Sequence, residues 1–347
     1  MHEVTLKDIA KVVGCSVNTV SLALKDSPRI SEATRKKIQK VAKEMDYTAN
    51  NIARALVLKR TGTIGLIIRN ISSVLMTSKA KYIERYLEQY GYTLYIISSN
   101  DDLETEEKAI NLMLSNKVDG LLLHTIFTDN FPRLEKLRAQ GFPIVLLSGF
   151  RETMPKIDAI YPNLVKGAYI GTRHLLQLGH KRVAFVGATG EEKGYMYAKY
   201  QGYAKAMEEA GVEITPDLIC SSSESKFERF GDQALGHILK VGRTESAMFI
   251  DFDEIAIPII KFLTKNGIRI PQDLAIVSMD NVRFAEWASV PLTTAGYDIR
   301  YISHHAVDIL LGIINGTHGE GEVEDIAVEP DFYIRESCGY HQVYVAE

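Results

Sequence analysis

From residue 63 to the end of the chain, short runs of Ile, Leu and Val alternate with stretches of helical periodicity, and this alternation restricts the fold more than any other feature. Strands are expected at 64–68, 93–98, 120–124, 144–147, 183–186, 247–250 and 275–278, each followed by a helix-like segment. Near-continuous apolar strands need cover on both faces, and βαβ units supply it by laying helices on either side of a parallel sheet. The length accommodates two such sheets, so the expected fold is α/β, with a two-lobed core of doubly wound parallel sheets over 62–347. The chain is expected to pass between the lobes near 161–163, 291–296 and 326–330. This assigns about 62–161 and 297–325 to lobe 1, and about 162–296 and 326–347 to lobe 2.

Ahead of this core, three short helical patterns carry dense start and stop signals. Thr5 followed by Asp8 has the form of a capping box, and it opens a helix to about Val13 with Ile9, Ala10 and Val13 on one face. Gly14 ends that helix. Ser16 caps a second one in which Val17, Val20 and Leu24 are spaced for burial, and so short a break between two helices is helix-turn-helix geometry. After Ser27-Pro28 a third helix starts beyond Ser31. It buries Ile38, Val41, Ala42 and Met45 and sends Arg35, Lys36, Lys37, Lys40 and Lys43 to solvent. Residues 1–48 are therefore read as a three-helix helix-turn-helix domain, and 49–61 as a hinge helix and linker capped by Asn50. A helix of about two turns is marginal in isolation, so it forms only when something packs against it.

The net charge of −4 conceals a division: residues 1–60 carry 12 Lys+Arg against 6 Asp+Glu, and residues 61–347 carry 28 against 38. A basic head on an acidic body points to a polyanion partner for the head alone. Cys15, Cys220 and Cys338 are far apart and lack CxxC spacing, which suggests a reducing compartment and neither disulfides nor zinc. The chain opens without a signal-like segment and has no apolar run near the ~20 residues of a membrane span, so a cytoplasmic protein with no membrane partner is expected. Glycines cluster at 187–194, but no GxxxxGK[ST] or GxGxxG accompanies them. His124, His174, His180, His304 and His305 are scattered and have no HExxH or GxSxG context. No catalytic residue, no metal site and no cofactor is expected, and the chain is not read as an enzyme. A solute-binding protein would share the core but would have no use for a basic head.

The segment VTLKDIAKVVGCSVNTVSLALKDSPRISEATRKKIQKVAKEMDYTANNIARALVLKRTGTIGLII resembles the head of the lactose repressor/galactose repressor (LacI/GalR) family in motif order, spacing and length. The runs HLLQLGHKRVAFVG, FDEIAIPIIKFLTKNGIRIPQDLAIVSMDN and VPLTT extend the resemblance over essentially the whole chain. The resemblance implies a core of the type I periplasmic-binding-protein-like architecture. It also implies a homodimeric transcription repressor that binds palindromic operator DNA, under allosteric control by a small polar metabolite, a sugar or sugar phosphate, held between the lobes.

For the head, the resemblance places the second helix in the major groove. Val17, Asn18 and Leu22 would then reach base edges, and Thr5, Ser16, Thr19 and Ser21 would reach phosphates. The Asn18 amide can pair with adenine N6 and N7, whereas Val17 offers apolar contact to a thymine methyl. Leu22 stands where family members often carry a polar residue or Arg. Tyr47, Asn50, Ala53 and Arg54 complete the implied DNA contacts, and Leu56 is the apolar wedge that the hinge pushes into the minor groove. In the core, Asp280 would accept hydroxyl donors from the effector. Lys199 replaces an effector-binding Arg, keeping the charge but losing the rigid fork. Tyr161, Tyr195 and Phe252 are the remaining implied effector contacts, with Tyr197 as a further candidate for an aromatic wall.

Overall fold

The computed structural model describes residues 4–47, 60–149, 154–187, 197–220, 246–319 and 323–340. The chain divides into two compact units, Met1–Thr61 and Gly62–Glu347.

In the first unit, helices α1 (Leu6–Val13), α2 (Val17–Leu24) and α3 (Glu32–Glu44) pack around Ile9, Ala10, Val20, Ala23, Ile38 and Ala42. Their ends are fixed as the side chains dictate. The Asp8 carboxylate accepts from Thr5 N–H at 2.9 Å and from the Thr5 hydroxyl at 2.6 Å. Gly14 turns left-handed at φ 75°, a conformation that only glycine adopts at little cost, and its N–H closes on the Ala10 carbonyl. Ser16 and Ser31 accept from the N–H groups of Thr19 and Thr34. The spacing argument for burying Val17 fails, because the side chain is 39% exposed. Val17 stands in the first turn of α2, where no other part of the head covers it, and Ala23 takes the core position beside Val20.

The second unit contains two six-stranded sheets. The first has the order β11-β5-β4-β3-β1-β2, built from β1 (Thr63–Ile68), β2 (Thr93–Ser98), β3 (Gly120–Leu123), β4 (Ile144–Leu146), β5 (Asp158–Pro162) and β11 (Asp325–Val328). The second has the order β12-β10-β9-β8-β6-β7, from β6 (Val183–Val186), β7 (Ile219–Cys220), β8 (Ala247–Ile250), β9 (Ala275–Asp280), β10 (Thr293–Gly296) and β12 (Asp331–Tyr333). All seven strands expected from the apolar runs are present. The five additional ones are either two residues long, as β7 is, or carry polar or small residues such as Asp158, Thr293, Thr294, Asp325 and Asp331 that break an apolar run. One of these, β12, pairs antiparallel with β10, so the second sheet is mixed rather than wholly parallel. β2 also departs from the buried-strand expectation: Tyr95 and Ile96 are 48% and 41% exposed, because β2 is an edge strand.

Of the later two passages between the lobes, the first falls at the expected 296/297 boundary and the second lies later than the sequence suggested. β10 belongs to the second sheet, so the chain leaves it only after Gly296, entering α10 (Ile299–Asn315), which packs on first-lobe elements. Ile326, Ala327 and Val328 pair with Ile160, Tyr161 and Pro162, so the last passage falls at Glu329-Pro330 instead of 325–326. Of the helices that cover the sheets, α4 (Val74–Gln89) buries the stripe Met76, Lys79, Ala80, Ile83 and Leu87. In the second lobe α7 (Leu164–Gln177) and α8 (Tyr197–Glu209) approach each other at Gly202, where an added Cβ would lie 2.1 Å from the Val165 carbonyl oxygen. Gly202→Val is expected to lower stability by at least about 1–3 kcal/mol, the usual cost of overpacking, because a helix backbone must move to admit it. Thermal denaturation of the two proteins measures this, and an unchanged midpoint would contradict the close approach.

Candidate functional site

The two units present separate candidate surfaces. On the head, Ser16, Val17 and Asn18 are exposed at the start of α2, with Thr19, Ser21 and Leu22 half-buried behind them. The Ser16 and Thr19 hydroxyls lie 2.8 Å apart. Such a pair has two protons and uses one to bridge, so one stays available to a phosphate oxygen. Thr5 is exposed too, but its hydroxyl proton is held by Asp8. Tyr47 is half-buried against the three-helix core. Along α3, Lys36 pairs with Glu32 at 2.7 Å and Arg35 with Asp26 at 3.4 Å, which tempers the basic face read from the sequence. Asn50, Ala53, Arg54 and Leu56 lie outside the described residues.

In the core, parallel strands direct their carboxyl ends, and the residues just beyond them, toward the seam between the lobes. α9 (Asp253–Lys265) follows β8 there, and its first residues close on the first lobe. The Glu254 carboxylate accepts from the Val74 N–H at the start of α4, and from the Ser73 hydroxyl at 3.4 Å. Val74 and Leu75 pack against the apolar core of the second lobe, so one helix end is held by both a charge and apolar contact. A carboxylate at a helix N-terminus is favoured by the helix dipole and by the unsatisfied N–H groups.

Lys199, 3% exposed, donates to the Asp251 backbone carbonyl, and its Nζ lies 3.4 Å from the centre of the Phe252 ring. That is a cation–π contact, and it occupies one face of the ring expected to stack on a ligand. Lys199 also acts on Asp280, whose carboxyl is raised by burial and partly lowered again by Lys199, Lys79 and Arg69. Lys199, Phe252 and Asp280 are thus brought together. Tyr161 is not: it lines a cavity of about 580 Å³ with Gly149, Asn163, Ala198 and Gln201, where none of those three contributes. Tyr195 lies outside the described residues, and Tyr197 packs on Tyr200 within an aromatic cluster.

Three side chains that the sequence did not single out also stand in the seam. Asp253 accepts from the Ser278 hydroxyl, from the Thr294 hydroxyl at 2.8 Å and from Val282 N–H at 2.9 Å, and burial pushes its pKa up to about 7. Lys79 is drawn down to about 8 by burial. Glu254 is raised by burial as well. Lys79 had a legible signal, a lysine within the apolar stripe of an amphipathic helix. The Asp-Glu pair had one too, standing directly after an apolar strand. The histidines serve packing: His180 bonds Ser246 at 3.0 Å, His304 stacks on Tyr86, His305 stacks on Tyr301, and burial holds the His124 pKa well below its ordinary value. Among the described residues no group of three His, Cys, Asp or Glu could hold a metal ion, and no helix is long and apolar enough to cross a membrane.

Comparison with known proteins places both units. Residues 5–50 match the model described as bacterial regulatory proteins, lacI family, and residues 172–338 match a periplasmic binding protein-like domain. The HTH-type transcriptional regulator DegA of Bacillus subtilis is 35% identical over 301 residues, covering 85% of this chain and 87% of DegA. The HTH-type transcriptional repressor PurR of Aliivibrio salmonicida is 27% identical over 96% of this chain and 98% of its own length. The lac repressor dimer bound to operator and the anti-inducer ONPF superimposes with a TM-score of 0.82 at 22% identity, covering 97% of this chain and 99% of that one. The CelR–cellobiose complex does so at 0.70 and 23% identity, covering 96% and 100%.

The seam carries a pH signature whose sign is fixed. Asp253 has its folded pKa raised from 3.8 to about 7, so its contribution to stability is full below about pH 4 and is lost as pH rises through 7. In urea unfolding, the stability of the wild type relative to Asp253→Asn is expected to fall between pH 4 and 7. A difference that is flat or grows with pH would show that Asp253 is ionised in the folded protein.

Proposed function

Since this chain belongs to the LacI/GalR family of bacterial regulatory proteins, a family of DNA-binding transcription regulators rather than enzymes, we propose that it represses transcription as a homodimer on palindromic operator DNA, under control of a small polar metabolite bound between the lobes. The observation that carries this reading is the exposed start of α2, where Val17 and Asn18 face outward on a helix whose N-terminus is capped by Ser16.

In the proposed complex α2 lies in the major groove. Asn18 reads adenine, and Val17 and Leu22 supply apolar contact to bases. Ser16, Thr19 and Ser21 donate to phosphates, as does Thr5 once its proton is released from Asp8. Tyr47, Asn50, Ala53 and Arg54 add contacts along the hinge, and Leu56 wedges the central minor-groove step. The effector, a sugar or sugar phosphate, meets Asp280, Lys199 and Phe252, and Tyr161 and Tyr195 are further proposed contacts. By stabilising one angle between the lobes it changes the surface that the two hinges need as a partner, and so changes DNA affinity. Effector and operator then alter each other's affinity by the same factor.

The test is capture of fragmented host genomic DNA by the purified protein over a salt series, followed by sequencing. Enrichment of a short palindrome is expected. Its affinity should fall about 10³- to 10⁵-fold between 50 and 200 mM salt if 6–10 phosphates are contacted. On the enriched fragment, Asn18→Ala is expected to cost about 1–3 kcal/mol and to relax preference at one adenine position. Equal retention of all fragments by wild type, with and without added cell metabolites, would refute operator binding.

A further inference from the structure

The seam contains two buried groups of opposite charge whose hydrogen-bonding capacity is unused. Lys79 is 1% exposed, and among the described residues no acceptor bonds its ammonium. Asp280 is 6% exposed, and its carboxylate receives no hydrogen bond from any described residue. They come from different lobes, Lys79 from α4 and Asp280 from the end of β9, and each acts on the other electrostatically. No direct salt bridge joins them, which leaves their charged atoms more than 4.0 Å apart. Neighbouring charges do not fill the role of partner: Arg69 is tied to Asp101 at 2.5 Å, Lys199 is spent on the Asp251 carbonyl, and Glu254 is spent on the start of α4.

Position supports the same reading. Leu75 packs on the second lobe, and Lys79, one helical turn further along α4, projects from the same side of the helix. Asp280 holds φ at 109°, a conformation that L residues rarely adopt and that recurs at ligand sites. An ammonium enclosed by protein without an acceptor gives up most of its hydration, so an apolar residue at position 79 would suit the fold alone better. What the lysine offers is three donors to an incoming acceptor, beside a carboxylate that offers only acceptors.

We propose that the effector of this chain is a hydroxylated anion, whose carboxylate or phosphate is received by Lys79 while its hydroxyl groups donate to Asp280. This deepens, and rests on, the reading of the seam as the effector site. It selects an acidic sugar derivative, a sugar acid or a sugar phosphate, over the neutral sugar. Burial leaves Lys79 with a pKa of about 8, so the ammonium is still mostly charged at neutral pH.

Two measurements on the full-length protein test this. The first is the melting temperature of the ligand-free protein and of Lys79→Met. The variant is expected to melt higher, since it replaces an unanswered buried charge with an apolar chain of similar length; a lower melting temperature would mean that Lys79 is already satisfied within the fold, and would overturn the proposal. The second is calorimetric titration with neutral hexoses and pentoses, their aldonic and uronic acids, and their phosphate esters, which separates the carboxylate source from the phosphate source. The wild type is expected to bind at least one acidic member and to prefer it over its neutral parent. Lys79→Met should lose about 10- to 150-fold of that affinity and Lys79→Arg should keep part of it. Binding of a neutral sugar as tightly as its acid, unaffected by Lys79→Met, overturns the proposal and leaves a ligand between the lobes standing. Binding of none of these compounds overturns both.

Discussion

Charge that must be held out of water, in the seam between two lobes of one compact unit, is the constraint on which the core depends. Two sheets facing a common seam bring together the polar ends of their strands, and each charge there needs a partner. Asp253 takes three donors from its own lobe. Glu254 reaches across to the start of α4, where Val74 and Leu75 add apolar contact with the second lobe. These bonds join the lobes beside an apolar core that itself runs through both, from Ile64 and Leu66 to Phe185 and Phe249.

The head meets a different demand with the same resources. Three short helices cannot bury enough to hold themselves, so their ends are fastened by Thr5 with Asp8, by Gly14, and by Ser16 and Ser31. Those caps leave the first turn of α2 rigid and exposed, which is what reading a base edge requires. Some of the same hydroxyls are expected at phosphates, so capping and recognition draw on shared groups. Ser16 with Thr19 can serve both uses because their pair retains one proton.

Much of this was legible from residue pattern alone. The seven strands of Ile, Leu and Val were readable because each forms a continuous apolar run, and the helix caps because their residue types have one physical use. The other five were not, since β7 has only two residues and polar or small residues interrupt the rest. With β11 unmarked, the last boundary between the lobes was placed too early. Val17 was ambiguous: its spacing suited burial, while its place in the first turn exposed it. Of the expected effector contacts, Asp280, Lys199 and Phe252 converge, whereas Tyr161 lines a cavity to which none of those three contributes. Lys79 and Glu254 each carried a sequence signal, a lysine in an apolar stripe and a carboxylate directly after a strand, but the groups they face across the lobe boundary have no sequence spacing to reveal them.

The most direct measurement of control from the seam is the affinity of one operator-containing fragment for wild type and Glu254→Ala, by fluorescence anisotropy at several salt concentrations. Glu254 belongs to the core unit and bonds the start of α4, so in the proposed mechanism it influences DNA binding through the geometry of the lobes. The expected result is a change of about 5- to 150-fold, typical of allosteric coupling, with the same salt dependence in both proteins because the phosphate contacts are the same. Identical affinity in a folded Glu254→Ala protein would contradict the coupling between lobe geometry and the head.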